Sequence, residues 1–522
     1  MSANGNGRPS TIASAAPAPA DDGKLDRGLL LISAVVVLGT IMSILDTTIV
    51  NIAINHLSTD FNAPLPTIQW VATGYLLALA TVIPLTGWAA DRFGTKRLYM
   101  TSLVLFVAGS ALSGAAWSAQ SLIGFRILQG LGGGMIMPAG MTILTQAAGP
   151  QRVGRIMSVV GAPMLLGPIL GPVLGGWLVD DVSWRWIFYV NLPIGVVALA
   201  MAARILKPDQ PRPHRRLDVL GFALLSPGLA ALVYGLAETG ANGGFGGPKE
   251  ILPTLAGVLL VAAFVRHALR ADDPLIDMRL FKRRTPAVSG LTMALFAGAF
   301  FGGMLLLPLY YQVARGQSAL QAGLLMIPQG VGAAIMMPIA GRIVDRTGAA
   351  RVVLPGLVLV TAGYAVFTQV GAHTSYALLC GASLVAGLGI GATMMPTMAA
   401  AYQTLGHAEV ARATTAFNIV QRGFGALGTA LISVILATQL ADNLPGAQTA
   451  GQSLQAAQSI PPAAHARIAP LVADAFASTY EWVLLLIVLA AIPAVFLPRA
   501  KPAAPQPVDQ RADEAVAVAI EV

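Results

Sequence analysis

Charge is scarce in this chain of 522 residues. Only 11% of them are Asp, Glu, Lys or Arg, against about 25% in a soluble domain. Length alone would suggest roughly three or four soluble domains, and so little charge excludes that. Cysteine is nearly absent. The single one, Cys380, lies inside an apolar run, so no disulfide framework is available. The six histidines are scattered without the spacing of a metal site, and no metal is expected. No G-x-x-x-x-G-K-[ST] phosphate loop occurs, so the chain shows no sign of being its own ATP-driven motor. Neither a nucleophile elbow nor a Cys-His arrangement is present, and neither enzyme activity nor a cofactor is expected.

Hydrophobic residues make up 55% of the chain, and the mean hydropathy is +0.70. Apolar runs of roughly 20 residues recur along nearly its whole length, each long enough to cross a bilayer as a helix. They predict an all-α membrane protein of fourteen helices. The expected bounds are 29–54, 68–89, 98–117, 121–147, 156–178, 185–206, 217–236, 251–270, 287–311, 321–343, 352–370, 375–401, 413–437 and 479–498. Residues 1–27, rich in Ala, Pro, Gly, Ser and Asp, lack the order of a cleaved signal peptide and are expected to be a disordered tail. Residues 499–522 are expected to be a second tail, and 438–478 a long outer loop rich in Ala, Gln, Pro and Ser.

One phrase occurs twice. Gly87, Asp91, Arg92, Gly94 and Arg97 return as Gly341, Asp345, Arg346, Gly348 and Arg351, each at an offset of 254 residues. A charged turn repeated between apolar runs implies internal duplication, and a duplicated multi-helix membrane protein is usually a transporter. The spacing gives two six-helix halves, 28–206 and 286–498, with two extra helices in 207–285. Asp91 or Asp345 could cap the next helix, and the neighbouring arginine could reach across the same face as a latch. The plain alternative is a positive-inside anchor.

Loop charge sets the orientation. Arg92, Lys96 and Arg97 share one set of loops with Arg152, Arg155, Arg204, Lys207, Arg212, Arg215, Arg216, Arg279, Lys282, Arg283, Arg284, Arg346 and Arg351. Basic loops stay cytoplasmic, so both termini are expected inside. The formal charge of +8 then reflects membrane orientation, and nucleic acid is not an expected partner. All seven tryptophans fall near expected helix ends, where indoles meet the bilayer interface.

Two buried charges stand out. Asp46 lies deep in the first helix, where a carboxylate is costly and marks a functional site by default. Such a group is suited to take up and give back a proton. The alternative is a structural hydrogen bond. Arg126 lies in the fourth helix at a similar depth, roughly 8–12 Å below the outer surface. It could pair with Asp46, or snorkel to the interface. In the fifth helix Gly167, Gly171 and Gly175 line one face, with Pro168 and Pro172 between them and Gly176 following. This pattern serves close packing, or a bendable helix that seals one side of a pathway. Arg422 sits in the thirteenth helix with no readable direction. Met326, Met336, Met337, Met394, Met395, Met398, Phe296, Phe300 and Phe301 could line an adaptable pocket, or belong to the core or lipid face.

With these residues in view, the chain resembles a major facilitator superfamily transporter, of the fourteen-helix drug:proton antiporter family of EmrB/QacA type. Gly87 to Arg97 is similar to that superfamily's signature after helix two. Leu45 to Asn51 resembles the family's helix-one signature, whose aspartate is linked to proton coupling. Arg126, Gln129 and Gly130 are similar to the helix-four signature, whose arginine is implicated in the proton relay. The Gly-Pro repeat at 167–176 resembles the antiporter signature of exporters, and the stretch Trp184 to Gly195 is typical of the fourteen-helix branch. Thr95 departs from the usual basic residue of the first turn.

The resemblance implies a proton-gradient-driven antiporter in the cytoplasmic membrane. Its expected cargo is amphipathic, cationic drugs. Asp46 and Arg126 are the expected coupling residues, and Asn51, Gln129 and Arg422 are expected at the substrate cavity. Export of an endogenous metabolite, antibiotic or lipid stays open, as does a transport-inactive sensor. A monomer is expected; a periplasmic adaptor is compatible with the sequence but not indicated by it.

Overall fold

The computed structural model describes residues 27–148, 174–208, 216–242, 246–405, 407–443 and 462–499, with a few isolated positions between 152 and 171 and at 244. No strand occurs among the described residues. The helices are α1 (Arg27–Asp60), α2 (Leu65–Val82), α3 (Leu85–Phe93), α4 (Thr95–Gly114), α5 (Ala119–Ala148), α6 (Trp186–Tyr189) and α7 (Asn191–Ile205). They continue as α8 (Val219–Asn242), α9 (Pro248–Ala268), α10 (Arg284–Leu309), α11 (Ala319–Thr347), α12 (Ala350–Phe367), α13 (Tyr376–Tyr402), α14 (His407–Asn443) and α15 (Pro462–Ala494). Among the described residues, twelve helices are long and apolar enough to span a membrane, and thirteen spans result if α2 and α3 count as one bent span. The expected helix 156–178 lies mostly outside the described residues, so a total of fourteen is consistent with the structure.

Three expectations about element bounds change. The expected helix 68–89 is broken: its two parts meet at 56°. Pro84 lies at the break and has no N–H to donate. The thirteenth helix runs from His407 to Asn443, so Arg422 lies fifteen residues into it. The last helix begins at Pro462 inside the expected outer loop. Its first turns are rich in Ala, the best helix former, with Pro in the first turn where no donor is missed.

The repeated phrase is mostly helix. Gly87 to Arg92 form the end of α3, and Gly341 to Arg346 the end of α11. The turns themselves are Gly94, at φ 88°, and Gly348, at φ 90°. Glycine takes such angles without steric cost, which explains why both copies keep it. Beyond each turn the chain ties to the end of its own half. Lys96 Nζ donates to the Ala203 and Leu206 carbonyls at 2.9 and 2.5 Å, and the Ala350 N–H donates to the Pro498 carbonyl at 3.1 Å.

The inserted pair α8–α9 docks where the halves meet. Leu225, Leu229, Phe264 and Ala268 are buried with Ala80 of α2 and Ala416 of α14. Ser226 Oγ also donates to the Thr81 carbonyl at 2.7 Å. Asp218 caps α8 by accepting from the Gly221 N–H at 2.8 Å, and it also meets His267 at 2.9 Å.

Candidate functional site

The structure brings Asp46 and Arg126 into direct contact. Arg126 Nη1 donates to Asp46 Oδ2 at 2.6 Å, with side-chain exposures of 1% and 0%. Gln129 Nε2 donates to Asp46 Oδ1 at 2.8 Å, and Asn191 Nδ2 to the same oxygen at 3.3 Å. Arg126 also donates to Gln129 Oε1 at 2.8 Å and to the Val71 carbonyl at 3.2 Å, and it lies 4.1 Å over the Tyr75 ring. Asn191 in turn reaches Ser110 Oγ, which donates to the Phe188 carbonyl. One polar network centred on this carboxylate thus joins α1 to α5 and α7 directly, and reaches α2, α4 and α6 through Arg126, Asn191 and Ser110. Close helix approach makes this density feasible: a Cβ on Gly130 would lie 2.9 Å from Ala78 Cβ.

A cavity of about 250 Å³ lies beside this network, between the halves. Its walls include Ser43, Ile44, Thr47 and Thr48 of α1, Met137 of α5, Phe300, Phe301 and Met304 of α10, and Met337 of α11. Met394 and Met395 of α13, Gln421 and Arg422 of α14, and Gly161 complete it. At about 100° per residue, the α1 wall residues form one face and Asp46 points about 130° away from its centre. Asp46 is therefore turned away from the cavity in this arrangement. Asp46 faces Arg126, and Arg422 is the charged group on the wall. Gln129 sits in the Asp46 network and not on the wall. The Asn51 side chain lies outside the described residues, as do Gly167, Pro168 and Pro172. Met326, Met336, Met398 and Phe296 do not line this cavity.

The two halves also meet at the face that carries the repeated turns. A Cβ on Gly87 would lie 3.2 Å from Thr415 Oγ1 and 3.5 Å from the Ala411 carbonyl, so α3 rests on α14. Asp91 Oδ2 lies 3.6 Å from Arg412 Nε, and Arg412 Nη2 lies 3.4 Å from Asp273. Arg283 pairs with Glu409 through two bonds, of 3.0 and 2.8 Å. In the second copy the buried Asp345 accepts from Gln403 at 3.5 Å, while Arg346 is exposed. The cross-half contact is thus made by an aspartate and Arg412. Arg92 is half-buried and Arg97 exposed.

Both Arg412 contacts are long, and their members are partly exposed. Each is worth on the order of 0–1 kcal/mol. Arg412→Gln is therefore expected to loosen this face only in part. Labelling of Thr47→Cys from the turn face, in a Cys380→Ser background, should rise about two- to fivefold. Unchanged labelling would show that Arg412 latches nothing.

The profile of the Major Facilitator Superfamily matches residues 36–429. The chain belongs to this superfamily. It is 46% identical over 419 residues to a multidrug resistance protein B homolog of Mycobacterium tuberculosis, covering 80% of this chain and 78% of that one. It is 32% identical over 412 residues to the multidrug export protein EmrB of Haemophilus influenzae, covering 77% and 79%. Among solved structures, the human organic anion transporter MFSD10 shares the fold at a TM-score of 0.58 and 16% identity, covering 88% of this chain and 99% of that one.

For this superfamily member, some site residues escape a reading of sequence alone. Asn191 enters only as one letter of the 184–195 stretch. A lone Asn in an apolar run just before Leu-Pro is the signal that marks it. Ser110 and Tyr75 carry no such signal, because both are ordinary in membrane helices. Arg412 is one basic residue among several near a helix start.

Proposed function

We propose that the chain is a proton-driven exporter of amphipathic small molecules, working by alternating access of its two halves. The observation that carries this reading is the fully buried Asp46–Arg126 pair on the helix that also walls the cavity. A proton reaching Asp46 removes the charge that Arg126 faces. Arg126 then keeps only neutral acceptors, Gln129 and the Val71 carbonyl, and α1 loses its strongest tie to α5. Because Ser43 and Thr47 of the same helix wall the cavity, the change at Asp46 reaches the surface that a cargo meets. Proton binding and cargo binding become alternatives, so that uptake of one accompanies release of the other, which is exchange. The names of the relatives, multidrug resistance and export proteins, support export as the direction. A cationic cargo would have to displace Arg126 before it could meet Asp46. The proton gradient is the energy source, and no cofactor enters the cycle.

Cells expressing the chain in a pump-deficient host should accumulate less of several compounds in a broad amphiphile panel, and an uncoupler should erase the difference. Export of a single compound would favour a dedicated metabolite exporter. Export of none would leave a transport-inactive membrane protein.

The reading puts the protein in the cytoplasmic membrane as a monomer, with both termini inside. An impermeant thiol reagent should then label Ala450→Cys in intact cells, and Gln210→Cys only after permeabilisation. The reverse pattern would overturn the orientation.

A further inference from the structure

The proton relay leaves two features unused. The first is Arg422. It lines the central cavity, and no acidic residue does so among the described residues. The stretch 149–179, which holds most of the undescribed residues near Gly161, contains no Asp or Glu, so it has no carboxylate to offer. Arg422 is half-buried on a largely apolar wall, and a guanidinium partly withdrawn from water without a nearby counter-charge favours an anionic partner. The group that offsets it best is a carboxylate, sulfonate or phosphate, which matches its planar donor fork.

The second feature is an apolar space of about 350 Å³ between the inserted pair and α14. Leu225, Leu229, Leu232 and Leu236 wall it on α8, and Phe424 and Leu427 on α14. From Leu225 to Leu236 the wall runs roughly 16 Å along the helix, which suits an extended apolar body. A small void of about 20 Å³ lies beside it, a passage that must widen before a cargo can traverse it. Leu232, Ile419 and Gly423 wall both the space and the passage, and Arg422 walls both the passage and the central cavity. The three are arranged in series, with the guanidinium at the junction.

We propose that the cargo is an anionic amphiphile that arrives sideways from the bilayer between α8–α9 and α14. Its apolar body occupies the leucine-walled space, and its acidic head group binds Arg422. Phe300, Phe301 and the methionines of the central cavity then receive the body as it moves inward, since thioethers repack around varied shapes. The proposal rests on the exporter reading and names its substrate class.

Two membrane probes with the same apolar body test it: diphenylhexatriene propionate, an anion, and trimethylammonium diphenylhexatriene, a cation. Cells are loaded with either probe, and export is followed as loss of fluorescence, with and without an uncoupler. The propionate should be exported and the cation should not. Arg422→Gln should cut propionate export roughly tenfold or more, the scale of one lost charge-assisted contact, while Arg422→Lys retains part of it.

Gly423→Leu tests the route. Among the described residues a Cβ there meets nothing within 4 Å, so the larger side chain enters the passage without disturbing the helix. Its thermal midpoint should be unchanged and its propionate export several-fold lower. If Gly423→Leu exports normally, the lateral route is wrong and the space holds resident lipid. If the cation is exported and Arg422→Gln has no effect, the anionic assignment falls while the exporter reading stands. If neither probe nor any panel compound moves in an uncoupler-sensitive way, the exporter reading falls with it.

Discussion

Asp46→Asn is expected to abolish proton-driven export and to lower the thermal midpoint at once. Both effects come from the same contact. Asn cannot ionise, so the exchange loses its proton carrier. It also leaves the Arg126 guanidinium, 1% exposed, without its counter-charge, and breaking a buried pair in this way costs about 3–5 kcal/mol. The double variant Asp46→Asn/Arg126→Gln separates the two. It removes both charges and keeps amide groups that can hydrogen-bond to each other and to Gln129. Its thermal midpoint should recover most of the loss, while uncoupler-sensitive export stays at background. If Asp46→Asn alone exports against a gradient at the normal rate, Asp46 is structural and the proton is carried elsewhere.

The second large effect is expected at the glycines of the fifth helix, where two members of one motif should behave oppositely. A Cβ on Gly171 would collide with the Thr48 hydroxyl and lie 2.6 Å from Thr48 Cβ. Thr48 is two residues from Asp46 and lines the central cavity. Gly171→Leu must push α1 aside at the point where coupling and cavity meet. Overpacking of this kind costs about 1–3 kcal/mol, and transport should be lost even where the protein still assembles. Among the described residues nothing lies within 4 Å of a Cβ built on Gly176, so Gly176→Leu should transport normally. Equal transport rates for the two variants would show that the motif acts through bending and not through close contact.

Much of the fold was readable because membrane helices obey one strong rule, a long apolar run. The repeated turn was readable because φ near 90° at Gly94 and Gly348 admits few residues besides glycine. Asp46 and Arg126 were visible as costly charges in apolar runs. Their directions were not. The small polar residues of the first helix, among them Ser33, Thr40, Ser43, Thr47 and Asn51, share one face that includes the cavity wall, whereas Asp46 lies off that face. Depth alone did not reveal that Asp46 is turned toward α5. The bend at Pro84 was hidden because hydropathy continues across it. The extent of α14 and α15 was underestimated because Ala-rich, polar turns continue a helix beyond the apolar run that marks the bilayer.

The docking of α8–α9 has a mechanical consequence. Ser226 fastens the pair to the Thr81 carbonyl of the first half, whereas the wall that the pair's helices share with α14 is apolar, and the insert's polar ties to α14 sit beyond α9, at Asp273 and Arg283. If the halves rock as proposed, the helices of the pair move with the first, and their apolar wall slides over α14 once the Arg412–Asp273 and Arg283–Glu409 pairs release. The stroke then works against the bilayer itself, and the thickness and lateral pressure of the host membrane become part of the load on each cycle.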